Sequence, residues 1–168
     1  KKAFTAALEP IEFLMIEVPK QKTRWQRGVA VTCYSIARVS EPTDAIPLLN
    51  RGINLARIVM IAESTNSRRP RDLALMLSLR GNAYVANSID ITAGVKDLQE
   101  ATALFTRRAL ESPREQISQQ DFVDHVYTIA TVLNEANQNQ AAATICHGAI
   151  DQLECIASAG SIEGSDAW

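Results

Sequence analysis

At 168 residues, 46% apolar and only 5% aromatic, the chain is long enough for one domain whose core is built from Ala, Leu, Ile and Val. Seven glycines and six prolines are too few for a many-turned all-β protein, and three cysteines without a Cys-x-x-Cys pair argue against a disulfide framework and for a reducing, cytoplasmic setting. The net charge of −2 hides a division: residues 1–84 carry 13 basic and 7 acidic side chains, residues 85–168 carry 4 and 12, a polarity that suits charge-driven self-association or merely two solvated helix faces.

Residues 3–18 read as a helix with Ala7, Leu8, Ile11, Leu14 and Met15 on one face, bent or started late by Pro10 and ended by Pro19. A second helix covers about 23–39. Ser40-Glu41-Pro42-Thr43 is a break and restart, and a long helix follows to about Ala62 with Ile46, Leu49, Ile53, Ala56 and Met60 in helical register. Asn66–Pro70 is a loop, and a helix runs from Pro70 to about Asn87. Ser88–Gly94 reads as an irregular connector before helix resumes near Val95 and reaches Leu110. Ser118-x-x-Asp121 offers an N-cap. Two last helices, about 119–136 and 140–157, flank a turn at Asn137–Asn139, and 159–168 form a loose tail. No run approaches the ~18 apolar residues of a membrane-spanning helix, so no membrane association is expected.

Three stretches place small residues on one helix face: Ala45-x3-Leu49-x2-Gly52, Ala101-x3-Phe105-x3-Ala109 and Ala142-x3-Cys146-x2-Ala149. Gly81-Asn82-Ala83-Tyr84, followed by Ala101, Phe105 and Pro113, resembles the signature of the tetratricopeptide repeat, a 34-residue helix–turn–helix. Cys33, Ile36, Ala45, Leu49 and Gly52 fit the same frame, as do Ala130, Leu133, Ala142, Cys146 and Ala149. Gly81 to Ala101 spans 20 residues where the family pattern has 12, and alanines at 45, 101 and 142 give periods of 56 and 41. The resemblance implies an all-α fold of about seven helices: a short right-handed α-solenoid of hairpins at 23–65, 70–113 and 118–158, preceded by an extra helix in 1–22.

It also implies a protein–protein interaction or scaffolding module whose first helices line a groove. Arg27, Tyr34, Arg38, Ser78, Asn82, Asp124, Tyr127 and Thr131 fall on the groove positions, and the expected partner is a protein or peptide. A ligand-sensing regulatory domain with a pocket between hairpins, or an all-α enzyme with an unrecognised site, are the alternatives. Two histidines, His125 and His147, and the absence of a His-Glu-x-x-His motif or phosphate loop point to no metal, cofactor or catalytic site. Acids at helical spacing (Asp97 and Glu100, Glu111 and Glu115, Asp151 and Glu154) are expected on solvated faces. Arg68-Arg69-Pro70-Arg71 could hold an acidic segment, whereas nucleic-acid binding wants a larger basic surface with stacking aromatics.

Overall fold

The computed structural model describes residues 2–66 and 68–162, with the side chains of 2–5, 7, 156 and 159–162 outside that description. The fold is all-α: α1 (Lys2–Glu17), α2 (Lys22–Ala37), α3 (Pro42–Ala62), α4 (Arg69–Ala86), α5 (Ile91–Glu111), α6 (Gln116–Glu135) and α7 (Asn139–Ile162), with a single 3-10 turn at Pro19–Gln21 and no strand among the described residues. Helices pair as α2–α3, α4–α5 and α6–α7. The hairpins stack through α3 on α4 and α5 on α6, with α4 also meeting α6 and α5 meeting α7, while α1 covers α2. Such stacking buries apolar faces that no hairpin could bury alone.

Several boundaries have a local cause. Pro42 and Pro70 sit in the first turns of α3 and α4, where the missing N–H costs nothing. The Asp90 carboxylate accepts from the Ala93 N–H at 2.9 Å and caps α5. At the ends of α4 and α6 the chain reverses through left-handed residues, Ser88 (φ 51°) and Asn137 (φ 58°). The next N–H returns to the helix in both, Ile89 to the Tyr84 carbonyl at 3.0 Å and Gln138 to that of Leu133 at 2.7 Å, which is the Schellman closure.

These two turns lie 49 residues apart and correct the sequence reading of the second hairpin. The connector is only Asn87–Asp90, because α5 starts at Ile91 and not near Val95. Gly94 lies inside α5 at its crossing with α4: a Cβ there would stand 2.6 Å from Val85 Cγ2 and 2.9 Å from the Gly81 carbonyl oxygen, and one on Gly81 would stand 2.9 Å from the Gly94 oxygen. Two glycines face each other because nothing larger fits. Gly94, not Ala101, is thus the counterpart of Ala45 and Ala142. The repeat positions become Cys33, Gly81 and Ala130 in the first helices, and Ala45, Gly94 and Ala142 in the second. Counted between these positions the spacing is 48 to 49 residues, in place of the uneven 56 and 41. Leu49, Leu98 and Cys146 then correspond, as do Gly52, Ala101 and Ala149.

The core follows this register. Leu49, Ile53, Leu73, Met76, Leu77, Phe105 and Phe122 form the main cluster, and Val85, Leu98, Ile129, Leu133 and Ile145 a second one under the last two hairpins. Ser118 does not cap a helix. α6 begins at Gln116, and the buried Ser118 hydroxyl bonds the Glu115 carboxylate, which together with Arg108 draws that carboxyl below its usual range.

Candidate partner-binding surface

The eight residues expected on the groove fall on α2, α4 and α6, and the structure divides them. Arg27 donates to Asp72 of α4 at 2.9 Å, and Ser78 bonds His125 of α6 at 3.0 Å, so both are spent holding neighbouring hairpins together. Tyr34 is half-buried under the Arg38 guanidinium, 5.8 Å from its ring centre. Burial pushes its phenol upward in pKa, against the pull of Arg38 and Arg71. Asn82 has its side-chain oxygen buried without a hydrogen-bond partner among the described residues. Asp124, Tyr127 and Thr131 lie together in the open on successive turns of α6. Tyr127 is 75% exposed, Asp124 accepts from the Gln120 amide at 2.6 Å, and the Thr131 hydroxyl donates to the Tyr127 carbonyl at 3.0 Å. Tyr127 and Thr131 border a groove of ≈ 440 Å³ between α6 and α7, floored by Ala130, Ala142, Ala143 and Cys146 and edged by Glu135.

His125 is buried among α4, α5 and α6 rather than poised at a cleft. The Thr102 hydroxyl donates to the Leu98 carbonyl at 2.8 Å, so its oxygen accepts from His125 Nε2–H at 3.2 Å. The Leu98 carbonyl lies 3.4 Å from the same nitrogen. Nδ1 is then the acceptor of the Ser78 O–H, which assigns the neutral Nε2–H tautomer from the network. The ring packs on Phe105, centroids 4.8 Å apart and tilted by 50°. Burial holds the imidazole down to about 4, the Leu98 carbonyl offsetting part of the effect. No carboxylate among the described residues hydrogen-bonds the ring. The arrangement ties three helices with each polar atom matched.

The arginine-rich segment is also consumed internally. Arg69 donates to Glu63 at 2.6 Å and lies 3.6 Å from Asp72. Arg71 forms a bidentate pair with Asp121, which also accepts from the buried Arg108 at 2.8 Å, and hydrogen bonding to Asp121 raises the Arg71 pKa further. Arg68 alone of the cluster is exposed, and Ser67 lies outside the described residues. Asp97 is not on a solvated face, as the sequence suggested, but buried in a bidentate pair with Arg80 at 2.7 Å. Arg57 reaches Glu100 at 2.7 Å. Three arginines of the basic half (Arg57, Arg71 and Arg80) therefore pair with three acids of the acidic half inside one chain.

A groove of ≈ 650 Å³ lies between α5 and α7, at the junction of the second and third hairpins, where the ligand-sensing alternative places its pocket. Ala103, Leu110, Ile145, Ala149 and the unhindered Gly148 give it an apolar floor, with Gln99, Arg107, Glu111 and Gln152 at its edges. Its sequence signal was the run of Ala, Thr and Gly along the outer positions of both helices. Among the described residues, no group of three or more His, Cys, Asp or Glu side chains is disposed to hold a metal ion. α3 is long and apolar enough to cross a membrane by length and composition, although Asn50, Arg51, Asn54 and Arg57 interrupt it and it packs between α2 and α4. No protein-family model, no curated protein and no solved structure matches this chain.

Proposed function

We propose that this protein is an interaction or scaffolding module that holds a peptide or protein partner on the outer face of its last hairpin. The observation that carries this reading is Tyr127: a large aromatic residue, 75% exposed, at the edge of a groove between α6 and α7 floored by Ala130, Ala142, Ala143 and Cys146. Exposed aromatic anchors beside a preformed groove are where binding energy concentrates. The stacked hairpins support its placement among tetratricopeptide-like solenoids with lengthened helices, and its free cysteines, Cys33, Cys146 and Cys155, support a reducing, cytoplasmic compartment. No cofactor is required, and the reading is not that of an enzyme. The test compares capture of native partners by the wild-type chain, Tyr127→Ala and Asn82→Ala, with circular dichroism as the folding control. Loss of a partner with Tyr127→Ala at unchanged helicity is expected. Full retention by both variants removes the assignment.

The α5–α7 groove favours a second reading, a ligand-sensing domain, because ≈ 650 Å³ with an apolar floor lies in the range of small-molecule sites. Thermal stabilisation of the chain by a metabolite, abolished by Ala103→Trp, is what that reading requires.

A further inference from the structure

The 48–49-residue period defines a seat that is filled twice and open once. At the first junction, Ala30 of α2 and Ala56 of α3 are sealed against Asp72 and Met76 of α4. Their counterparts in the second hairpin, Ser78 and Phe105, are covered by His125 of α6. The counterparts in the third hairpin are Tyr127 and Leu153, which face solvent at 75% and 38% exposure. Ile150, the counterpart of the buried Ile53, is 52% exposed. The outer face of α6 and α7 therefore has the form of a helix-accepting seam that no other helix covers among the described residues.

The charges at the seam decide what fits. In both filled junctions the incoming helix brings an aspartate at the same repeat position, Asp72 and then Asp121, to an arginine of the preceding first helix, Arg27 and then Arg71. At the open seam those two arginine positions are occupied by Asp124 and Gln120, which bond each other. Arg38, at the end of α2, likewise becomes Ala86 in α4 and Glu135 in α6. No lysine or arginine follows Arg114 anywhere in the sequence. The receiving face has thus reversed its sign while keeping its shape. A second copy docking through its own leading helix would present Phe13 and Ile16 between Glu9 and Glu17, which is the wrong charge.

We infer that the open seam of the last hairpin accepts a basic amphipathic helix of another protein, its apolar stripe on Tyr127, Cys146, Ile150 and Leu153 and its lysines or arginines against Asp124 and Glu135. This rests on the interaction-module reading and names the partner's chemistry. Apolar contact supplies affinity, and the acids select the sign and speed of encounter.

The probe is a synthetic amphipathic helix of about 18 residues, three to four apolar anchors long and flanked by lysines, with an isomer carrying glutamate at every lysine position. Fluorescence anisotropy should show the lysine peptide binding at least about tenfold tighter than the glutamate one, with the preference reduced by high salt. Asp124→Lys/Glu135→Lys, a change confined to exposed positions, should reverse the preference. Equal binding of the two peptides, no binding of either, or a preference unmoved by the double variant overturns the inference. Self-association of the free chain that buries Tyr127 overturns it as well. If native partners still depend on Tyr127 while the peptides do not discriminate, the module reading stands and the charge assignment falls.

Discussion

Acidification should unfold this protein partly through one side chain. In the fold His125 is neutral, its Nδ1 accepting from Ser78 and its Nε2–H donating to Thr102, with Phe105 against the ring. A second proton would turn the acceptor nitrogen into a donor facing the Ser78 hydroxyl and would place a charge in the core. The folded imidazole therefore titrates at about 4 in place of 6.5. Below pH 6.5 the unfolded chain takes up a proton that the folded chain refuses, so stability present at neutral pH is lost as pH falls from about 6.5 to about 4, and the slope flattens below that. The displacement is worth about 3 kcal/mol, a large share of the roughly 5–15 kcal/mol that keeps a typical domain folded. Urea unfolding of the wild type and His125→Gln between pH 7 and 4 isolates the effect, because the carboxylates titrate in both. The variant starts less stable, through a lost network, but the wild type should lose about 3 kcal/mol more on acidification. Parallel stability curves would refute the buried neutral assignment.

Three further outcomes follow from the packing. Gly94→Ala should destabilise by about 2 kcal/mol in thermal or urea melts, because its Cβ would stand 2.6 Å from Cγ2 of the buried Val85 and 2.9 Å from the Gly81 backbone oxygen, which cannot turn aside. Gly148→Ala should stabilise by about 0.5–1 kcal/mol in the same assay, since nothing lies within 4 Å of that position and helix propensity alone decides. Arg80→Met should cost about 3 kcal/mol by stranding the buried Asp97 carboxylate, and Asp97→Asn in the same background should recover part of it.

Most of the helices were legible because their apolar spacing and prolines speak locally: the helix expected over 43–62 is α3 at Pro42–Ala62, and the last turn falls at Asn137 as expected. Gly94 was misread because a glycine near two β-branched residues looks like a break, whereas here it answers to Gly81 across a helix crossing. The local counter-signal was Asp90, an N-cap just before the helical run. Misplacing that one boundary hid the regular period. Long-range pairing was illegible for a different reason. Nothing local ties Arg71 to Asp121 or Arg80 to Asp97, so arginines and acids that gave no sign of each other in the sequence join α4 to α6 across two hairpins and α4 to α5 within one. Of the groove residues, those on the terminal hairpin remained open because no hairpin follows α7 among the described residues, while Arg27 and Ser78 on the inner hairpins were consumed.

The most direct measurement is maleimide labelling of the wild-type chain, free and with its captured partner, read cysteine by cysteine by mass spectrometry. Cys146 borders the open seam, Cys155 is exposed, and Cys33 is buried with its thiol pushed up by burial. In the free chain Cys146 and Cys155 should label and Cys33 should resist. With the partner bound, labelling of Cys146 should fall at least about tenfold while Cys155 changes little, as occupation of the seam requires. Unchanged labelling of Cys146 in a saturated complex would place the partner elsewhere and contradict the account.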